Sequence, residues 1–375
     1  MRKSSREQDQ RLMAHALGLA ACGLGRTSPN PPVGAVVARG GRILGAGYHR
    51  HAGGPHAEVF ALRQAGAKAR GATLYVTLEP CCHLDKRTPP CIPLILNSGI
   101  ERVIVSTADP NPKVKGRGIA ALKRAGLKVD VGIGRSEAET LIEPYRSRVT
   151  TGYPLVTLKI AATLDGKIAT ARGESRWITG VSARQAVRKL RAASDAILVG
   201  IGTVLADDPS LTAQQTPSRK TNPLRIILDP SLRTPLRSKV LTDGKARTLL
   251  VTTGASAKKK RELVERRGAE VLLLPDHNGR IDWHVLLAEL GRRGINALLI
   301  EGGAEVNASA LRDGVVDRLI YFIAPQLLGG RDAVGAIGGT SPSLLSDALL
   351  LDDVTVSRLG TDIVVTGRVR PKRFS

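Results

Sequence analysis

Aromatic residues are scarce in this chain: three Phe, two Trp and five Tyr, or 3% of 375 positions. A groove that stacks successive nucleic-acid bases needs many such rings, so the scarcity argues against one. Long apolar runs are missing too, and no window approaches the 18 or so uninterrupted apolar residues of a membrane span. Cysteines number only four, too few for a disulfide framework in a chain of this length. Three of them, Cys81, Cys82 and Cys91, lie close together, and in a reducing compartment such a cluster more often binds metal or does chemistry than cross-links. Acidic residues are in deficit: 56 Lys plus Arg against 33 Asp plus Glu leave a formal charge of +23. That balance favours anionic partners, whether nucleic acid, an acidic membrane or phosphorylated small molecules, without choosing among them.

What is present is ordinary globular usage, 42% hydrophobic and 24% charged, enough for a sizeable core. The length suits two or three domains. Near the start, Arg2, Lys3 and Arg6 precede the apolar stretch Leu12 to Leu24, which superficially resembles a secretory leader. Asp9 and His15 interrupt it, and Met13, Leu17, Ala20, Ala21 and Leu24 fall at helical spacing. An amphipathic first helix and a cytoplasmic protein are expected.

Through the first 150 residues short apolar runs alternate with helical patterns. Strands are expected at 33–38, 43–48, 73–77, 102–106 and 128–132, with helices at 57–68, 93–98 and 118–125. This order predicts a layered α/β domain on a largely parallel sheet. Around Pro144 to Pro154 a polar, proline-bounded stretch breaks the pattern and marks a linker, so domains of 1–148 and 153–375 are expected. The second half alternates again. Ser182 suits an N-cap, strands are expected at 196–199, 224–228, 248–251, 270–274, 297–300, 318–323, 354–358 and 363–369, and helices at 258–266, 285–292 and from about 304. Thr212 to Asn222 reads as a polar loop.

The strongest chemical signal is His56-Ala57-Glu58 followed by Pro80-Cys81 and then Cys91. One imidazole and two thiolates are three of the four ligands of tetrahedral Zn²⁺, and the fourth position, open to water, is the mark of a catalytic site. Glu58 stands two residues from His56, close enough to shuttle protons without ligating. This is the arrangement of zinc nucleobase deaminases. A structural zinc completed by Cys82 or His83 is the competing reading, and it leaves Glu58 without a role. In the second half the run 297–300 leads into Glu301-Gly302-Gly303-Ala304 and a helix, where glycines let backbone N–H groups approach an anion at a helix N-terminus. The spacing is not G-x-G-x-x-G, so a Rossmann domain is not supported.

The stretches TSPNPPVGAVV, GYHRHAGGPHAE, TLEPCCH, RTPPC and DPNPKVKGRG resemble the deaminase half of the bifunctional deaminase/reductase family of riboflavin biosynthesis. LKIAATLDGKIA, GESRWITG, GIGTVLADDPSLT and LLIEGGAEVNASAL are similar to its reductase half. The resemblance covers nearly the whole chain. It implies a cytidine-deaminase-like α/β/α domain followed by a dihydrofolate-reductase-like α/β domain, with Zn²⁺ and NADPH as cofactors. It also implies His56, Cys81 and Cys91 as zinc ligands and Glu58 as proton shuttle. Asn30 would read the pyrimidine, with His49, His83, Arg87, Asp109 and Asn111 flanking it. In the second half Ala161, Trp177, Thr203, Asp207 and the loop Gly303, Ala304, Glu305, Val306, Asn307, Ala308 and Ser309 would contact NADPH. Ser175, Arg191, Leu211 and Glu301 would hold the ribosylamino-pyrimidine and its phosphate. The implied reactions are hydrolytic deamination of the phosphoribosylated diaminopyrimidine, then reduction of its ribosyl chain.

Two departures stand out. PCCHLDKRTPPC is one residue longer between its ligating cysteines than the family's pattern, with Cys82 where Ser is usual, and Cys81, which directly follows Pro80, is the favoured ligand. After DDPSLT the family carries an Arg that helps hold the substrate phosphate, whereas this chain has Gln214; Arg219, or Arg191 with backbone donors, would have to serve instead. A deaminase acting on nucleic acid is the enzymatic rival, but the compact P-C-x-x-C spacing is absent and residues 151–375 would have no account. A nucleic-acid-binding protein with a structural zinc is a second rival, against which Glu58 speaks. Expected partners are a phosphorylated pyrimidine and a second copy of the chain in a dimer or tetramer, with no nucleic acid and no membrane.

Overall fold

Short strands buried on both faces dictate the architecture. The computed structural model describes residues 2–82, 89–213, 222–277 and 279–370, in two units, Met1–Tyr153 and Pro154–Ser375. The first unit holds β1 (Gly34–Arg39), β2 (Arg42–Tyr48), β3 (Thr73–Leu78), β4 (Arg102–Thr107) and β5 (Lys128–Val131) in the order β2-β1-β3-β4-β5. One face of the sheet, through Ala35, Val37, Leu74, Val76, Val103 and Val105, packs on Ala57, Ala61, Leu62, Ile92, Ile95 and Leu122. The other, through Val36, Ala38, Tyr75 and Ile104, packs on Leu12, Met13, Ala16, Leu17 and Ala138. The period of two in the strands thus sorts each residue to one of two helical layers. Helix Arg2–Ala21 crosses β1 so closely that a Cβ at Gly34 would lie 2.0 Å from the Ala16 carbonyl oxygen.

Several expectations are corrected here. The sheet is mixed, because β1 alone is reversed and pairs antiparallel with both neighbours, while the β3-β4 and β4-β5 pairs are parallel. The cause is the two-residue turn Gly40-Gly41, both at positive φ, which favours a hairpin between β1 and β2. The first helix buries Leu12, Met13, Ala16, Leu17 and Ala20, whereas Ala21 faces solvent and Leu24 lies beyond its end. The stretch expected as a linker is largely the helix Glu143–Thr151: Pro144 sits in its first turn, where a missing N–H costs nothing, and Gly152 at φ 82° ends it.

The second unit contains β6 (Leu155–Thr163), β7 (Lys167–Ala169), β8 (Ala196–Gly200), β9 (Leu224–Leu228), β10 (Thr248–Thr252), β11 (Glu270–Leu273), β12 (Asp276–His277), β13 (Arg280–Ile281), β14 (Ala297–Ile300), β15 (Arg318–Ala324), β16 (Val334–Gly335), β17 (Leu351–Leu359) and β18 (Asp362–Val369). Nine of them form one sheet in the order β11-β10-β9-β8-β14-β6-β15-β18-β17, parallel from β11 to β15 and antiparallel at β15-β18-β17. Helix Val181–Ala193 is capped by Gly180 rather than by Ser182, since the Gly180 N–H is held by Asp362 Oδ2 at 2.8 Å in extended backbone. Strands β6, β8 and β14 are parallel neighbours, so their carboxyl ends open on one edge, the place where open α/β sheets bind ligands.

Candidate functional site

In the first unit three chain segments converge. His56 caps helix Ala57–Ala65 in extended backbone, Cys81 follows the end of β3, and Cys91 opens helix Cys91–Asn97. His56 Nδ1 lies 3.2 Å from Cys91 Sγ and 3.5 Å from Cys81 Sγ, and the three donor atoms fall within 4.8 Å of one another. Zinc bonds of about 2.0–2.3 Å at tetrahedral angles place ligand atoms about 3.5 Å apart, so this donor set fits the ion. Cys82 is half-buried and does not belong to the cluster. The Cys91 amide donates to Cys81 Sγ at 3.3 Å, as expected of a sulfur prepared to carry negative charge.

Glu58 occupies the first turn of helix Ala57–Ala65 and is almost wholly buried. Burial raises its carboxyl above the ordinary range, the charge of His56 opposes that, and its side chain reaches Cys91. A carboxyl raised by burial beside a metal donor set is placed to accept a proton and pass it on. Beside it, Asn30 Nδ2 and His49 Nε2 are 3.1 Å apart, His49 Nδ1 faces the Pro55 carbonyl at 3.0 Å, and the His49 and His56 rings meet edge to face with centroids 5.4 Å apart. Asp109 and Asn111 share one loop: Asp109 Oδ1 accepts from the Asn111 amide at 2.8 Å and from the Tyr145 hydroxyl at 3.2 Å. His83 and Arg87 lie outside the described residues.

Sequence reasoning missed Glu79. Its buried carboxylate accepts four backbone N–H groups, from Asp109 and Gly116 at 3.1 and 2.9 Å and from Gly118 and Ile119 at 2.8 and 3.1 Å. The bonds reach 30 to 40 positions along the chain, so no local pattern announces them.

In the second unit a cleft of about 530 Å³ opens at the carboxyl ends of β6, β8 and β14. Ten of the residues expected there line it: Ala161, Ser175, Trp177, Arg191, Thr203, Asp207, Leu211, Glu301, Gly303 and Asn307. At its base Arg191 grips Glu301 with two bonds, Nε to Oε1 at 2.6 Å and Nη2 to Oε2 at 3.0 Å, and Lys159 Nζ adds a third at 3.3 Å. Burial alone would raise the Glu301 carboxyl, but Arg191 and Lys159 outweigh it and hold the group down at about 2. Ser175 Oγ donates to Asp207 Oδ1 at 2.9 Å, and Trp177, 69% exposed, lies under the Arg184 guanidinium at 4.6 Å.

The glycine turn brings the N-terminus of helix Ala304–Arg312 to the cleft, where an anionic group is favoured. Gly302 and Gly303 leave backbone bare at the helix start, and a Cβ on Gly302 would lie 2.6 Å from Val306. Asn307 is buried against the cleft; its Nδ2 donates to the Ala336 carbonyl while its buried Oδ1 has no partner among the described residues, an acceptor that a ligand donor would satisfy. Ala304, Glu305, Val306, Ala308 and Ser309 do not line the cleft. Val306 packs towards Gly200 and Gly302, and Ser309 Oγ meets the Trp283 indole N–H at 3.2 Å. Gln214 and Arg219 lie outside the described residues. Lys159, Arg184 and Arg188 line the cleft although the sequence did not single them out; the signal was the spacing of Arg184, Arg188 and Arg191 along one helix face.

A His/Cys/Cys cluster beside a buried acid in the first unit, and a nucleotide-sized cleft at the parallel strands of the second, define a zinc-dependent deaminase module joined to a reductase module. The family described as the cytidine and deoxycytidylate deaminase zinc-binding region matches residues 6–107, and that described as the RibD C-terminal domain matches 154–365. The chain is 45% identical to the riboflavin biosynthesis protein RibD of Aquifex aeolicus, over 96% of this chain and 98% of that one. Among solved structures it is similar to Acinetobacter baumannii RibD (TM-score 0.87, 38% identity, covering 98% and 100% of the two chains). It is also similar to a Thermotoga maritima diaminohydroxyphosphoribosylaminopyrimidine deaminase/5-amino-6-(5-phosphoribosylamino)uracil reductase (TM-score 0.84, 36% identity, covering 98% and 99%). The chain belongs to the RibD family of riboflavin biosynthesis proteins.

Proposed function

We propose that this chain performs two consecutive steps of riboflavin biosynthesis. The first is zinc-dependent hydrolytic deamination of 2,5-diamino-6-ribosylamino-4(3H)-pyrimidinone 5′-phosphate. The second is NADPH-dependent reduction of the ribosyl chain, giving 5-amino-6-ribitylamino-uracil 5′-phosphate. The observation that carries this reading is the pairing, on one chain similar to RibD proteins from end to end, of the His56, Cys81 and Cys91 cluster around buried Glu58 with the cleft around Glu301. Deamination is assigned to residues 1–148 and reduction to 153–375.

In the first step His56, Cys81 and Cys91 would hold zinc, which when bound supplies a Lewis acid that lowers the pKa of water toward neutrality. Glu58 takes the proton that water gives up and delivers it to the departing ammonia, a transfer suited to a carboxyl raised by burial. Asn30 and His49 orient the pyrimidine, and the loop of Asp109 and Asn111, with His83 and Arg87, flanks it. In the second step Ala161, Trp177, Thr203 and Asp207, with Gly303 and Asn307 of the glycine turn and its helix, would hold NADPH, which supplies a hydride. Ser175, Arg191, Leu211 and Glu301 position the ribosylamino-pyrimidine. Because both bonds of the Arg191 fork already reach Glu301, that arginine's part is to fix the carboxylate.

Among the described residues no helix is long and apolar enough to cross a membrane. A cytoplasmic location accords with thiolates at Cys81 and Cys91 that oxidation would destroy. Self-association into a dimer or tetramer is part of the proposal: β17 is an edge strand whose Val354 and Val356 are 51% and 67% exposed, an apolar edge of the kind that a second copy covers.

The test uses purified, zinc-loaded protein and the diaminopyrimidine ribosyl phosphate. Ammonia release without NADPH, followed by NADPH oxidation once it is added, is the expected result. No ammonia from metal-replete protein would overturn the first assignment, and ammonia without NADPH oxidation would overturn the second.

A further inference from the structure

The substrate proposed for the second unit carries a phosphate monoester, an anion that a free cation on the cleft wall would hold by charge-assisted hydrogen bonds. Position 214, where the family pattern has arginine, is Gln, which has no charge and cannot grip two phosphate oxygens as a guanidinium does. The cations that line the cleft can be examined one by one for a free donor face. Arg191 and Lys159 are bound to Glu301, and the remaining Arg191 nitrogen, Nη1, donates to the Thr212 carbonyl at 3.2 Å. Arg176 donates to the Asp207 carbonyl and lies 4.0 Å from its carboxylate. Arg184 stacks on Trp177 and donates to the Thr179 carbonyl at 2.7 Å. Lys239 stands 3.8 Å from Asp208. Arg188 alone among these makes no side-chain hydrogen bond or ion pair among the described residues, and it is exposed on the cleft wall.

Its place on helix Val181–Ala193 is equally telling. Arg188 lies four residues after Arg184 and three before Arg191, with Val187 between as the buried anchor of that face. These spacings align the three arginines along one side of the helix, from Trp177 at one end to the Glu301 network at the other. A cation that no described residue holds, in a row whose other members are committed, is poised for an anion that comes and goes.

We propose that Arg188 binds the ribose 5′-phosphate of the pyrimidine substrate in the reductive step, supplying the charge that Gln214 lacks. This rests on the reductase reading above. The cofactor's 2′-phosphate has the same chemistry, so the test must separate the two. Full-length, zinc-loaded wild type, Arg188→Gln and Arg188→Lys are compared in steady-state reduction of the deaminated substrate, with and without its phosphate. Arg188→Gln should raise KM for the phosphorylated substrate by roughly tenfold to a hundredfold, the range for losing a charge-assisted contact. KM for the dephosphorylated substrate and for NADPH should stay unchanged, and Arg188→Lys should restore part of the loss because it keeps the charge without the fork. Calorimetric titration with ribose 5-phosphate should show the same loss of affinity without any turnover. Ammonia release by the first unit and the thermal midpoint check that each variant is folded, and Arg188→Lys carries the comparison if the Gln variant is not.

A rise in KM for NADPH, with loss of its preference over NADH, would overturn the assignment by placing the cofactor's phosphate on Arg188. So would unchanged KM values and unchanged ribose 5-phosphate affinity, which would make Arg188 a solvated surface charge. Wild-type protein that fails to oxidise NADPH would sink the reductase reading alone, and the ribose 5-phosphate titration would still decide the role of Arg188.

Discussion

Two buried carboxylates, one in each unit, are held in opposite electrostatic conditions. Burial pushes Glu58 upward, with the cation-capable His56 as its main opponent, whereas Glu301 is dragged down to about 2 by Arg191 and Lys159 despite its burial. The first is thereby suited to carry a proton and the second to stay charged. Replacing Glu58 by Gln keeps the shape and removes the proton carrier. Glu58→Gln should therefore retain one zinc per chain by metal analysis while ammonia release falls by on the order of a thousandfold. Loss of zinc together with activity would show instead that Glu58 is part of the ligand shell. For Glu301 the depressed folded-state value means that its stabilising contribution is complete above its ordinary value of 4.5 and is lost as pH falls toward about 2. The contribution is on the order of 3 kcal/mol at neutral pH. Both tryptophans of the chain, Trp177 and Trp283, lie in the second unit, so denaturant unfolding followed by tryptophan emission reports on it. The stability gap between wild type and Glu301→Gln should narrow as pH is lowered from 5 to 2. A constant gap would mean that the ion pairs contribute nothing net.

Glu79 shows how one side chain can set the position of a whole segment. It directly follows β3, just before Pro80-Cys81, and its two oxygens hold the backbone from Asp109 to Ile119, including the start of helix Arg117–Arg124. A metal ligand and the loop of Asp109 and Asn111 are therefore tied to a single carboxylate. In Glu79→Gln one acceptor oxygen becomes an NH₂ facing backbone donors, so two of the four bonds are replaced by repulsion. Amide hydrogen exchange across residues 109–119 should rise about tenfold or more, with the segment around Glu58 unchanged. Equal exchange in both proteins would remove Glu79 from this role. The contrast with the residues that sequence reasoning found is physical. His56, Glu58, Pro80 and Cys81 announce themselves because their spacing is local, and β3, β4, β9 and β14 because buried strands show as apolar runs bounded by turns. The partners of Glu79 are backbone groups, which carry no side-chain signature. The spacing of Arg184, Arg188 and Arg191 is legible, but which of them is free is not: that depends on which neighbours have claimed the others, and Glu301 comes from a segment far from Asp207 and Asp208. The helix Glu143–Thr151 was misread because proline in a first turn looks the same in sequence as proline in a linker.

The two chemistries place different demands on one chain, and this gives a test that needs no mutation. Only the first unit has a His/Cys donor set for a metal among the described residues, and its sheet is covered on both faces by apolar layers that do not depend on the ligands for most of their contacts. Zinc should therefore be needed for deamination and contribute to the first unit's stability, without being the whole of its core as in a small zinc finger. The second unit draws its binding energy from Glu301, its arginine row and the glycine turn, none of which offers a soft metal ligand. Treatment with a chelator should abolish ammonia release and lower the thermal midpoint of the first unit. The same sample, given substrate already deaminated, should oxidise NADPH at the rate of the untreated protein, and added zinc should restore the first step. If chelation stopped both reactions, the ion would be holding together more than the deaminase module, and the division of labour between residues 1–148 and 153–375 would have to be abandoned.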